Sequence, residues 1–266
     1  MTLLGALRSL PVNLTDSARI LARFRDGLRD ELVSTELSGL PFESALPVRS
    51  FFAWPGKRNY EGSWWSGTVG GHVGFESLLE RDFLMLADHD TEVIGIVSQP
   101  FAVLWPHGTE AARGHVPDFF VRLRDGGGRV VDVRHPDRLS SAERQFEMTA
   151  RMCQAVGWDY EVFSGMAEPR AANLRWLSGY RQDRFAPSAA SLLAILEAFR
   201  AGASMATGVR CAARQLKTDP SVVQANVLHL AYRGLLDVDL GRPLSLESPI
   251  ASSQGCLADV LFEEAS

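Results

Sequence analysis

Between Val116 and Arg134 the chain must double back on itself, and this turn constrains its fold more than any other stretch. Asp125-Gly126-Gly127-Gly128 separates two runs with strand character, Val116 to Arg124 and Arg129 to Arg134. Glycines accept the left-handed backbone that tight hairpin turns require, so the pattern predicts an antiparallel hairpin. Side chains on a strand alternate between faces, which puts Asp132 and Arg134 on the same side. Whether Asp118 joins them depends on loop parity. A three-residue loop, Asp125 to Gly127 with a left-handed glycine, brings Asp118 to their face; a two- or four-residue loop turns it away.

Other elements follow from periodicity. Ile20, Leu21, Phe24, Leu28 and Leu32 recur at helical spacing, which predicts a helix over Asp16 to Ser38 within an N-terminal helical segment, 1–46. Periodicity lapses from Pro47 to Gly74, where Phe51, Phe52, Trp54, Lys57, Arg58, Asn59 and Tyr60 lie among glycines and serines. Aromatic and basic residues mixed in this way can stack on bases and hold phosphates, or simply plug a loop onto the core; for Trp64 and Trp65 the core reading is preferred. A second helix is expected over Phe75 to Asp88, then strands over Glu92 to Ser98 and Phe101 to Trp105. After the hairpin come a helix opened by a capping box at Ser140-Ser141-Ala142-Glu143 and closed at Gly157, and a strand from Asp159 to Phe163. This half reads as a mixed α/β domain, 47–165.

Beyond a polar connection at Gly165 to Pro169 the pattern becomes helical. Stretches at Ser188 to Arg200, Ser204 to Leu216 and Ser221 to Arg233 precede a two-stranded wing, Leu235 to Leu240 with Leu244 to Glu247, turned at Gly241-Arg242-Pro243. Three helices and a hairpin form a winged-helix-like α+β pattern over 170–250, followed by a flexible tail, 251–266. Arg170 to Lys217 holds eight basic residues against Asp183 and Glu197, while the chain as a whole carries −5. Such an excess favours a partner over a base sequence, since only Gln224, Asn226, His229 and Arg233 on the last helix are base readers.

The overall negative charge excludes a bulk polycation that coats DNA unaided. No apolar run reaches the roughly 18 residues of a membrane span. Met1 to Leu10 lacks the basic segment and cleavage site of a signal peptide. Cys153, Cys211 and Cys256 are odd in number and far apart, which fits a cytoplasmic protein, and no Cys/His cluster has zinc spacing. Arginine supplies all the basic side chains except Lys57 and Lys217.

The candidate chemistry lies in carboxylates. Glu76 and Glu80 are i and i+4 neighbours on one helix face, where their repulsion is tolerated in water or relieved by a cation. Oxygen ligands from Glu80, Asp118 and Asp132 suit Mg²⁺, which activates water and neutralises charge in phosphodiester cleavage. The alternatives are that Asp118 caps the turn after Pro117 and that Asp132 and Arg134 form a surface ion pair. His115 and His135 flank the group in sequence and can orient water.

Gly74-Phe75-Glu76-Ser77-Leu78-Leu79-Glu80, Ser98-Gln99-Pro100, His115-Val116-Pro117-Asp118-Phe119 and Val131-Asp132-Val133-Arg134, in that order, resemble the TnsA family, the endonuclease subunits of heteromeric transposases. The likeness covers about Phe51 to Phe163. It extends more weakly to Asn173-Leu174-Arg175-Trp176-Leu177 and the winged-helix pattern. It implies a restriction-endonuclease-like domain that binds Mg²⁺ (or Mn²⁺) and cuts one strand at transposon ends. Glu80 takes the place of the helix glutamate, Asp118 the aspartate, and Asp132 the first residue of a residue-x-Lys pair. Glu76 and Lys57 become accessory candidates. The implied partners are DNA, a strand-transfer transposase and an AAA+ ATPase that engages the C-terminal domain. One departure stands out: Arg134 occupies the lysine position. Arginine stays protonated and cannot act as a base, although it can clamp a phosphate. Two further readings therefore stand beside the enzyme: a nuclease-inactive assembly subunit and a winged-helix regulator.

Overall fold

The computed structural model describes residues 18–48, 60–105 and 114–253. The chain divides into two compact units, one built from residues 1–88 and 92–165, the other from 89–91 and 166–266. Both α-helices and several small sheets are present, a mixed α/β protein. Among the described residues no helix is long and apolar enough to cross a membrane.

The first unit begins with a hairpin, β1 (Arg19–Phe24) and β2 (Gly27–Leu32), where the periodicity predicts a helix. Phe24 pairs with Gly27 across a two-residue turn, Arg25-Asp26, and Gly27 takes a positive φ of 147°. The helical spacing is misleading because Leu28 and Leu32, which complete it, are 53% and 43% exposed. Ile20, Leu21 and Ala22 are buried because β1 is the central strand of a three-stranded sheet, between β2 and the strand Phe101–Leu104. Within the expected N-terminal helical segment, residues 1–17 lie outside the described residues, and the part from Arg19 is thus corrected to a strand pair followed by short 3-10 turns at Thr35–Gly39 and Phe42–Ser44.

β3 (Gly62–Ser66) and β4 (Gly71–Phe75) form a second hairpin. Trp64 is buried in it and donates to the buried carboxylate of Asp88, in keeping with a core role. Burial alone raises the Asp88 carboxyl, but hydrogen bonds from Ser66, Thr68 and Trp64 together hold it below its ordinary value. Helix α1 spans Leu78–His89, so it starts later than expected because Phe75 still belongs to β4. β5 (Val93–Ser98) and β6 (Phe101–Leu104) follow, then β7 (Phe119–Leu123), β8 (Gly128–Val133), helix α2 (Glu143–Val156) and β9 (Asp159–Phe163).

The main sheet has the order β5-β7-β8-β9; β9 lies parallel to β8, and α2 makes the crossover that a parallel pair requires. The expected capping box at Ser140 does not form: Ser140–Ala142 is a 3-10 turn, and α2 starts at Glu143 without a side-chain cap. The helix does close at Gly157, with φ +91°. Phe42, Phe101, Phe120, Val130, Cys153 and Trp158 belong to the main core. Arg122, only 8% exposed, anchors the central hairpin. Its guanidinium donates to Glu43 Oε2 and to the carbonyls of Ser38, Leu40 and Gly126.

The second unit holds α3 (Arg170–Leu177), α4 (Ala189–Phe199), β10 (Ala203–Ser204), α5 (Met205–Leu216), α6 (Pro220–Tyr232), β11 (Leu236–Val238) and β12 (Pro249–Ser252). Ser188, Ser204 and Asp219 cap the last three helices through their side chains. The small sheet runs β10-β12-β11. The expected second wing strand, Leu244 to Glu247, is corrected: β11 pairs with Pro249–Ser252 instead. Buried Asn173 takes the intervening backbone, donating to the carbonyls of Leu240 and Arg242 and accepting from Leu244 N. Those groups are therefore not available to a strand ladder.

Candidate functional site

The loop of the β7–β8 hairpin sets the site. Phe119 pairs with Val131 and Arg122 with Gly128. Leu123 N donates to Gly127 O at 2.8 Å, so the turn contains Arg124, Asp125 and Gly126, with Gly126 left-handed at φ +89°. The loop has three residues, one position earlier than the sequence indicates, and a shift of the whole loop leaves its parity unchanged. Continued by one pair, this register sets Asp118 opposite Asp132 on one face. Asp118 Oδ2 accepts from Val133 N at 2.7 Å, which fixes its carboxylate across the strand ends.

Glu76, Glu80, His115, Asp118, Asp132 and Arg134 line a single cleft of about 440 Å³, with Val48 and Phe146 among its apolar walls. Lys57 lies outside the described residues, and His135 is not part of the lining. His135 is exposed, and its Nδ1 accepts from Asp137 N at the start of a 3-10 turn.

Glu80 sits in the first turn of α1. Its Oε2 accepts from Glu76 N at 2.7 Å and its Oε1 from the Ser77 hydroxyl at 2.9 Å, while Ser77 Oγ accepts from Glu80 N at 3.1 Å. This exchange is of capping-box type, and Ser77-Leu78-Leu79-Glu80 carries the S-x-x-E signal for it. These bonds hold Glu80 at the cleft wall.

Asp132 is 3% exposed. His115 Nε2 donates to it at 2.8 Å from Oδ1 and 3.0 Å from Oδ2, and the Tyr160 hydroxyl donates to Oδ2 at 2.6 Å. Strand pairing explains the set: Tyr160 sits opposite Val130 on β9, and His115 is bridged to Val103 at the end of β6. Burial and the Asp132 charge push the Tyr160 hydroxyl well above its ordinary value, so it remains a donor. Burial, with the Asp132 and Asp159 charges, pushes the Cys153 thiol up to about 12. Arg134 follows β8, half-buried, with its N–H on Phe163 O. Asp132 is bonded to His115 and Tyr160, and no ion pair with Arg134 forms.

Gln99 is a cleft-supporting residue whose conformation the sequence does not reveal. It is 2% exposed and left-handed at φ +49°, a strained state for a non-glycine residue. Its N–H donates to Asp118 O at 2.8 Å and its carbonyl accepts from Val48 N at 3.0 Å. The only sequence signal is the proline that follows, which biases Gln99 away from helical backbone.

Among the described residues, no group of three or more His, Cys, Asp or Glu side chains is arranged to hold a metal ion. Mg²⁺ asks for less, because it keeps several waters and is commonly bound by one or two carboxylates plus substrate phosphates. Glu80 and Asp118, partly exposed oxygen donors on one cleft, fit that requirement.

In the second unit two of the four expected base readers, Asn226 and His229, are drawn inward. Asn226 Nδ2 donates to Phe185 O and buried His229 Nδ1 to Tyr180 O. Part of the basic excess is paired, Arg175 with Glu168 and Arg200 with Glu197. Along α5, Arg210, Arg214 and the following Lys217 are exposed.

Comparison of the sequence with protein-family models finds no match, and no curated protein matches it.

Proposed function

We propose that the chain is a Mg²⁺-dependent DNA endonuclease subunit of a heteromeric, TnsA-like transposase. In this reading the first unit is a restriction-endonuclease-like domain and the second a winged-helix-like one. The observation that supports it is the convergence of Glu76, Glu80, Asp118, Asp132 and Arg134, distant in sequence, on one cleft at the end of a mixed sheet. Glu80 and Asp118 would hold Mg²⁺, or Mn²⁺ in its place. Bound there, the ion would supply a bound water of lowered pKa and offset charge on the scissile phosphate. Asp118 is oriented for this by Val133 N and Glu80 by Ser77 and Glu76. Arg134, fully charged, clamps a non-bridging phosphate oxygen through its planar fork.

The second unit, with the order helix, helix, strand, helix, helix, strand, strand, serves protein partners in this reading, an AAA+ ATPase and the strand-transfer transposase. Inward-facing Asn226 and His229 weigh against a sequence-reading regulator. Arginine in place of the family's lysine favours one second reading, an assembly subunit that keeps the fold without cutting. The deciding experiment is nicking of supercoiled plasmid carrying the transposon ends, with Mg²⁺, Mn²⁺ or EDTA, by the chain alone and with the transposase. Divalent-dependent nicking in either mixture supports the enzyme. Transposition that proceeds equally well with Asp118→Ala supports the assembly subunit.

A further inference from the structure

The His115–Asp132–Tyr160 set has no place in a site made of three carboxylate ligands. Asp132 is the most buried carboxylate of the cleft, and three hydrogen-bond contacts already reach its two oxygens. A cation there would have to displace a histidine and a tyrosine held by separate strands. Glu80 and Asp118 are more exposed and stand on the same opening.

The histidine has the complementary arrangement. In the neutral ring, donation from Nε2 to Asp132 leaves the lone pair on Nδ1. Nδ1 meets no hydrogen-bond partner among the described residues, and His115 lines the cleft. A histidine whose proton-bearing nitrogen rests on a buried carboxylate is fixed in both tautomer and orientation, as a catalytic imidazole must be. Arg134 cannot accept a hydrogen bond, so the cleft otherwise lacks a nitrogen acceptor on that wall.

Resting on the endonuclease reading, we infer that Asp132 is not a cation ligand but the positioning residue for His115. His115 Nδ1 takes the proton of the attacking water, in place of the missing lysine, as the water oxygen bonds to phosphorus; the P–O bond to the leaving strand breaks, and its oxygen takes a proton from solvent. Tyr160 holds the second oxygen of Asp132 and so fixes the carboxylate plane from the β9 side. The cation is left to Glu80 and Asp118.

The test separates cation binding from turnover in the full chain. Mn²⁺ affinity is measured by titration calorimetry and Mn²⁺-supported nicking on supercoiled plasmid, with folding checked by near-UV circular dichroism. Asp118→Asn weakens Mn²⁺ binding by about tenfold or more, the scale seen even for groups that only support a ligand. Asp132→Asn and His115→Gln leave Mn²⁺ affinity unchanged, and each lowers nicking by about 10²-fold, the contribution of a positioned proton acceptor. The double variant is no worse than His115→Gln alone, as expected of residues that act as one unit.

Tyr160→Phe keeps the carboxylate and removes one donor, which covers the case in which Asp132→Asn does not fold. It lowers nicking with Mn²⁺ affinity unchanged. Loss of Mn²⁺ affinity in Asp132→Asn, tightening of it in Tyr160→Phe, or multiplied losses in the double variant would each overturn the inference while leaving the endonuclease reading intact. A wild-type chain that neither binds Mn²⁺ nor nicks DNA overturns both.

Discussion

His115 and His229 each rest a ring nitrogen on an oxygen, yet the two bonds serve different ends. In the first unit Nε2 of His115 meets a carboxylate on the wall of an open cleft, and the other nitrogen faces no protein partner among the described residues. In the second unit Nδ1 of His229 meets the carbonyl of Tyr180 in the interior, and burial lowers the imidazole below its ordinary pKa. The contrast extends beyond the histidines. Glu76, Glu80, Asp118 and Arg134 stand around a space, whereas Asn173 and Asn226 are committed to backbone carbonyls of their own unit. Residue type alone is therefore a poor guide to function. What matters is whether a polar side chain's remaining capacity opens on solvent or is filled by the chain.

If the contrast is right, substitutions in the first unit cost activity and those in the second cost stability. Asp118→Ala should have the largest effect, reducing nicking by about 10³-fold with little change in melting temperature, since transition-state charge stabilisation is lost. An active Asp118→Ala protein would break the comparison at its strongest point. Arg134→Ala should follow, with a loss of about 10²-fold from removal of a charged clamp, and Arg134→Lys should retain or raise activity. Gel assays of nicked and supercoiled plasmid check both.

Asn173→Ala should leave nicking per folded molecule intact while lowering unfolding free energy by about 2 kcal/mol, because backbone groups of Leu240, Arg242 and Leu244 lose their buried partner. Urea titration reads that loss, and a parallel drop in nicking would blur the contrast. The smallest effect concerns His229. Its folded-state pKa lies below the ordinary 6.5, so its contribution is fully present above that value and is lost as pH falls through the lowered one. Stability of the second unit should decline as pH falls below the ordinary histidine value of 6.5, and His229→Phe should flatten the decline. An unchanged slope in that variant would place the acid sensitivity elsewhere.

Local signals carried the site further than they carried the fold's periphery. The Asp125-Gly126-Gly127 run was enough to place a hairpin, because turn chemistry is a local rule, but it left the loop parity open, and the register of the structure is what puts Asp118 and Asp132 on a common face. The same kind of reading failed at Asp16 to Ser38. There the spacing of apolar residues suits a helix, and only pairing with β6, more than seventy positions away, makes Ile20 to Ala22 a central strand. The S-x-x-E signal was expected at Ser140 but is used at Ser77, since a capping box depends on where the preceding strand ends. Tyr160 was read only as part of the last strand. Its bond to Asp132 depends on a parallel register that no local pattern encodes.

That register has a consequence for how the molecule assembles. Tyr160 and Asp132 are separated by 28 positions, and β9 can reach β8 only after the chain has passed through α2. Closing a loop of that length costs entropy before any contact compensates it, which makes such pairings late events in folding. The β7–β8 hairpin, whose strands are joined by three residues, has no such delay. During refolding the hairpin should therefore exist before its carboxylate is clamped, with Asp132 passing through a stage at which it is still hydrated. The hydroxyl of Tyr160 is in effect a clock placed inside the cleft, marking the moment at which the first unit becomes native.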